Sequence, residues 1–172
     1  MTDPKQLAPV LEHVAGRAAT LFDLPVVQAS LQAIKRDEKK TLSDQIAITE
    51  IEAPPFHEKT RGLDLMERFK ALGLQEVSMD PEGNVIAVRK GTGNGPLLVL
   101  AAHQDTVFPA GTDVKVREEN GVYHAPGISD DARGLAVILQ VLRTLQEHKI
   151  ETVGDLYFVC TVGEEGNGDL RG

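Results

Sequence analysis

The sequence has no second cysteine to pair with Cys160, so an internal disulfide is excluded and nothing marks an oxidising compartment. Cys160 itself lies in the apolar run LYFVC, where a thiol behaves as a small hydrophobe. There is no apolar stretch approaching the ~18–20 residues that a spanning helix needs. The start, MTDPKQLAPVLEHVAGRAA, has no basic segment leading into an apolar run. No signal peptide is therefore expected, and the expected location is cytoplasmic. Positive charge is also short, with 18 basic against 26 acidic side chains and a formal charge of −8. That argues against nucleic acid or an anionic membrane as partner, since both select a basic face. An acidic surplus usually serves solubility, and it is equally compatible with carboxylates that hold a metal. What is present is ordinary for a folded domain: 172 residues, 41% hydrophobic and 26% charged, enough for a real core.

The first part of the chain has helical periodicity. Residues 5–21 place Leu7, Val10, Leu11, Val14, Ala18 and Leu21 on one stripe, and Pro25 interrupts it. A second helical pattern runs through Val26, Val27, Leu31 and Ile34 into KRDEKK, read as a solvated helix face or a hinge. Residues 42–51 predict a further helix that ends before Pro54-Pro55, and residues 59–72 another, with Gly73 as its stop. The period then changes. Gln75–Met79 and Asn84–Arg89 read as strands around the turn Asp80-Pro81-Glu82-Gly83. Leu97–Ala102 reads as a central strand covered on both faces, and Val114–Arg117 with Gly121–Tyr123 as a hairpin around Glu119-Asn120. Residues 132–147 give the clearest helix and Asp155–Val162 a second central strand. Strand, helix, strand predicts a crossover between parallel strands. The fold class is α/β.

In open α/β sheets ligands gather outside the carboxyl ends of the strands. Three polar clusters fall there: His103-Gln104-Asp105, Gly127 to Asp131, and Gly163-Glu164-Glu165-Gly166. Each has an ordinary explanation by itself. A His-x-Asp is more often a hydrogen-bonded pair than a metal site, an Asp before a helix is a preferred cap, and two glutamates between glycines suit a solvated loop. Together they offer an imidazole and several carboxylates, a donor set suited to zinc and similar divalent ions. One glutamate can then bind metal while its neighbour stays free as a base. Asp105 can accept the second N–H of His103 and fix its tautomer.

In order and spacing, H-x-D-T-V from His103, G-x-x-D-D from Gly127 and G-E-E-G from Gly163 resemble the M20 family of zinc metallopeptidases. That family includes glutamate carboxypeptidase, peptidase T, acetylornithine deacetylase and succinyl-diaminopimelate desuccinylase. APPFHEKTRGLDLMERFKALGL and DPEGNVIA also resemble its amino-terminal region. The resemblance implies a central mixed sheet flanked by helices, two zinc ions (cobalt or manganese as alternatives), and hydrolysis of an amide in a peptide or N-acyl amino acid. It makes His103 a ligand of one ion, Asp130 the bridging ligand and Glu165 a ligand of the other. Glu164 becomes the general base, Asp105 the residue orienting His103, and the Asp130–Asp131 peptide cis.

Two zinc ions take about four donors each, and His103, Asp130 and Glu165 leave each ion a protein ligand short. His13, His57, His124 and His148 are poorly placed in sequence to supply one. The expectation is therefore an incomplete catalytic domain over residues 41–172, preceded by a helical extension over 1–40. A lid domain, which in the family mediates homodimers, and the remaining ligands would lie beyond it. Such a segment is expected to bind zinc weakly and to turn over nothing, and its open edge to be prone to aggregation. The alternatives are an M28-type zinc aminopeptidase and a non-catalytic, metal-poor homologue acting as a binding module.

Overall fold

The computed structural model describes residues 4–172, with side chains at Glu12 and from Val14 onward. The sequence readings on Met1–Asp3 and on the side chains of Leu7, Val10, Leu11 and His13 lie outside the described residues. Four helices come first: α1 (Pro4–Phe22), α2 (Pro25–Arg36), α3 (Glu38–Thr49) and α4 (Lys59–Ala71). Pro25 opens α2, where a missing N–H costs nothing, and Lys35 and Arg36 close it at the negative end of its dipole. The charged run KRDEKK thus spans a helix junction at Asp37, with Glu38 in the first turn of α3. Residue 40, the expected end of the helical extension, falls inside α3. No described helix is long and apolar enough to cross a membrane.

Strands β1 (Glu76–Met79), β2 (Val85–Arg89), β3 (Leu98–His103) and β6 (Leu156–Thr161) form one sheet in the order β1-β2-β6-β3. The first two pairings are antiparallel, while β3 and β6 are parallel and joined through α5 (Ala132–Glu147). The fold is α/β with a mixed sheet. The turn before β2 is closed by the Asp80 carboxylate, which accepts the amides of Gly83 and Asn84, each at 2.9 Å.

Leu135, Ile138, Leu139 and Leu142 of α5 pack on Val85, Ala87, Leu156, Phe158 and Cys160 of the sheet, with Leu65 and Phe69 of α4 completing the core. Burial pushes the Cys160 thiol far above its ordinary range, so it is inert. The rings of Phe69 and Phe158 meet at 6.1 Å.

Two expectations are corrected. Strand β3 is not covered on both faces: it pairs only with β6 among the described residues, and Leu98 and Val99 are about half exposed. Its apolar run reflects hydrophobicity that this set of elements leaves at an edge. The hairpin starts later than its β-propensity suggests, as β4 (Arg117–Glu119) and β5 (Val122–His124) around a two-residue Asn120-Gly121 turn. Side chains have already taken the preceding amides: Lys115 N–H donates to Asp113 at 3.0 Å and Val116 N–H to Glu50 at 3.1 Å. Those residues are withdrawn from the ladder.

Leu142 is fully buried between α5 and the sheet. Leu142→Ala should cost about 2–5 kcal/mol in urea unfolding, whereas Val153→Ala on the surface should stay within about 0.5 kcal/mol. Similar midpoints for the two variants would show that this interface is not the core.

Candidate metal centre

The register of β3 and β6 pairs His103 with Thr161, so the two strands end side by side. Beyond them, Gln104 N–H donates to Thr161 O at 2.8 Å, keeping the exits parallel for one further residue. The side chain of Gln104, fully buried, donates to the carbonyls of Gly83 and Cys160 at 3.1 and 3.0 Å. Asp105 follows, also fully buried. Its Oδ1 accepts the Glu164 amide at 3.1 Å and its Oδ2 the Glu165 amide at 2.8 Å. One carboxylate therefore fixes the loop that carries both glutamates.

Asp131 performs the same task for the third cluster. It caps α5 by accepting Gly134 N–H at 2.9 Å, and its other oxygen accepts His103 N–H at 3.2 Å. A side chain at position 134 would collide with that carboxylate, so glycine is required there. Gly127, at φ +73°, lets the loop before α5 lie against Thr106, whose methyl would be 2.7 Å from an added Cβ. The Asp130–Asp131 peptide is cis.

These anchors bring the chemical groups together. His103 Nε2 lies 2.8 Å from Asp130 Oδ1 and 3.9 Å from Glu164 Oε2. Donor atoms of His103, Glu164 and Glu165 all lie within 4.8 Å of one another. His103 is mostly buried, whereas Asp130 and Glu164 reach into solvent. An imidazole and carboxylates converging at the mouth of a strand pair form a donor set of the kind divalent cations take.

The structure also refines the expected part of Asp105. His103 Nδ1–H donates to the main-chain carbonyl of Asp105 at 3.1 Å, while the nearest carboxylate oxygen stands off at 3.6 Å. The carboxylate acts on the ring by charge and on the glutamates by hydrogen bonds. Attraction to Asp105, working against burial and aided by Asp130, raises the His103 pKa to about 9. Burial alone would raise Asp105; His103 and the amides of Glu165 and Glu164 outweigh it and hold that carboxyl below its ordinary value. Glu165 moves up, through burial first and then the neighbouring charges of Asp130 and Glu164.

One contributor carries only a weak sequence signal, its place on the apolar stripe of α4 with Leu65 and Phe69. Arg61 of α4 is buried, and its guanidinium donates to the carbonyls of Gln104 at 2.7 Å and of Ile51 at 3.0 Å. It clasps the chain between His103 and Asp105 to the segment after α3. Burial lowers its pKa to about 10, with Asp105 opposing the fall. Within the helical pattern of residues 59–72, an arginine reads as a surface residue. His57 and His124 are not among the cation-holding residues, and His148 caps the end of α5.

A strand-helix-strand unit with acidic groups and a histidine at its carboxyl edge defines the class: an α/β domain with a candidate hydrolytic metal centre. Comparison with known proteins narrows it. Residues 99–172 match the model of peptidase family M20/M25/M40. The uncharacterized protein YqjE of Bacillus subtilis is 33% identical over 140 residues, covering 75% of this chain and 37% of that protein. Succinyl-diaminopimelate desuccinylase of Corynebacterium glutamicum is 30% identical over 135 residues, covering 76% of this chain and 36% of that enzyme. A solved tripeptidase of Staphylococcus aureus superposes with a TM-score of 0.62 at 28% identity, over 78% of this chain and 41% of that one. The chain belongs to the M20/M25/M40 peptidase family, and it spans about a third of the length of the curated relatives it matches.

A raised histidine pKa has a definite linkage sign. In protein stripped of metal, the contribution of charged His103 to stability is complete below its ordinary 6.5 and is lost as pH rises through about 9. NMR titration of the ring should show that midpoint, and Asp105→Asn should bring it down toward the ordinary value. A midpoint that ignores the substitution would remove Asp105 as the cause.

Proposed function

We propose that this chain supplies part of the centre of a zinc-dependent hydrolase that cleaves an amide in a peptide or an N-acyl amino acid. The observation that carries the reading is the convergence of His103, Asp130, Glu164 and Glu165 at one strand edge, held there by Asp105. The relatives support the substrate class: one is a tripeptidase and another a desuccinylase.

The donor set fits zinc, with one imidazole and several carboxylates at a polar, accessible mouth. His103 would hold one ion, Glu165 the other, and Asp130 would bridge them. When bound, the metal would lower the pKa of water and polarise the scissile carbonyl. The chain's own residues do the rest. Glu164, whose amide is held by Asp105 but whose carboxylate is exposed, takes the proton of the attacking water and delivers it to the departing amine. Asp105 sets the separation between that base and the ligand beside it by holding both their amides. Asp131 holds the exit of β3 against α5, so Asp130 stays in reach of His103. Residues 41–172 carry all of these groups, and we assign residues 1–40 to a helical extension.

The structure offers a second use for Glu164, because its donor atoms group with those of His103 and Glu165. Glu164→Gln separates the two roles. In the enzyme that carries this segment, turnover should fall about 100- to 10,000-fold with zinc content unchanged in metal analysis. Loss of zinc together with turnover would make Glu164 a ligand and overturn its assignment as base. With Glu164 kept as base, three ligating side chains remain for about four donors per ion. The 172-residue chain should therefore retain no more than one zinc after dialysis, and tight uptake of two in isothermal titration would refute this ligand assignment.

A further inference from the structure

The loops leaving both ligand clusters meet again beside the site, around a cavity of about 340 Å³. Val107 and Phe108, directly downstream of the Asp105 loop, form one wall, and Gly166 and Asn167, immediately after Glu165, form another. Pro55 and Phe56 close the third side, and none of the lining residues is charged. The volume is at the lower end of the ~300–1,000 Å³ typical of ligand pockets. It suits one side chain rather than a whole cofactor.

Phe56 gives the cavity its meaning. The residue has φ +69°, left-handed backbone that a bulky aromatic rarely adopts. Phe56 is nevertheless 61% exposed, so burial is not what holds the backbone there. Two tethers do. Its N–H donates to Glu58 Oε1 at 3.1 Å, and the Arg171 guanidinium carbon lies 4.3 Å from its ring centroid. Arg171 in turn donates to the same Glu58 oxygen at 2.6 Å, and Glu58 is buried. A strained residue that its surroundings over-determine, displaying an apolar ring, marks a functional constraint.

We propose that this cavity is an apolar subsite for an aliphatic or aromatic side chain of the substrate, with Phe56 as its specificity-determining wall. The proposal rests on the hydrolase reading above. A substrate, rather than a protein partner, is the occupant because two of the three walls are continuous in chain with Asp105 and Glu165. A group seated there is held beside the reacting amide. A charged side chain would find no charged partner in this lining and would lose its hydration, so acidic and basic residues are selected against.

The test needs neither metal nor turnover. Metal-free protein is titrated by NMR with N-acetyl-leucine amide and, separately, with N-acetyl-glycine amide. Saturable shifts at the Val107 methyls and the Gly166 and Asn167 amides with the leucine probe alone are the expected result. Val107→Thr, a surface change that preserves shape, should weaken that binding about fourfold, the ratio for one lost buried methyl. Phe56→Ala should weaken it further. Equal responses to both probes, shifts confined to other regions, or unchanged affinity in both variants would overturn the subsite. Leucine binding without turnover in the zinc-loaded enzyme would remove the hydrolase reading and leave the pocket standing. Turnover without leucine binding would do the reverse.

Discussion

Asp105 Oδ1 accepts the amide of Glu164 and Oδ2 that of Glu165, from the end of a strand to the loop after its parallel neighbour. Every other relation in the site follows from that link. Parallel strands bring their ends to the same edge, but nothing in a sheet ladder dictates how the loops beyond it sit. Here a buried carboxylate with two lone-pair directions does so. Burying it is costly unless it is hydrogen-bonded and its charge offset; the two amides supply the bonds, and the His103 ring and the Arg61 guanidinium supply opposing charge nearby. The same atoms that stabilise the buried charge thus fix the spacing of the chemistry.

The supporting elements divide the work by rigidity. Helix α5 and strand β6 supply much of the buried core, and the ends of α5, β3 and β6 position His103, Asp131 and the glutamates. Loops supply the groups themselves, and polar side chains pin each loop: Asp105 at the glutamates, Asp131 before α5, and Arg61 with Gln104 between His103 and Asp105. The apolar side of the site follows the same rule, with Glu58 and Arg171 pinning Phe56. Rigid elements set directions, and polar contacts set distances.

Much of this was legible in the chain. Helix α5 has the limits its apolar spacing predicts, from Ala132 to Glu147, because period and cap coincide there. The His103 and Glu164-Glu165 clusters are legible as strand-end loops because short apolar runs precede them, and the cluster at 127–131 is legible because a clear helix follows it. What the sequence hid was relational. The apolar run of β3 reads as a strand covered on both faces, yet coverage depends on neighbours that a local pattern cannot name. Arg61 shares the stripe of Leu65 and Phe69 at i, i+4 and i+8, but its charge reads as surface, and its partners are main-chain carbonyls, which leave no trace in side-chain patterns. The late start of β4 depends on Glu50, which is remote in sequence. Phe56 looks like an ordinary residue after two prolines; only its backbone angle and its tethers set it apart.

The charge balance of the edge favours a cation there. Asp105, Asp130, Asp131, Glu164 and Glu165 crowd around one histidine, and crowded carboxylates repel. For Asp105 the repulsion is answered by amides, the imidazolium and Arg61, and its carboxyl stays below its ordinary value. Asp131 receives two amides, yet burial prevails and its pKa rises. Glu165 donates its amide to Asp105 and has no cationic side chain paired with it, so burial and its neighbours push it up. Fixed positive charge therefore runs out just where the donor atoms of His103, Glu164 and Glu165 converge. A divalent ion at that point would favour the charged form of Glu165 and compete with the proton on His103. Metal uptake and proton release are then one event, and the anchoring by Asp105 that makes the glutamates available also makes the site electrostatically incomplete without a cation.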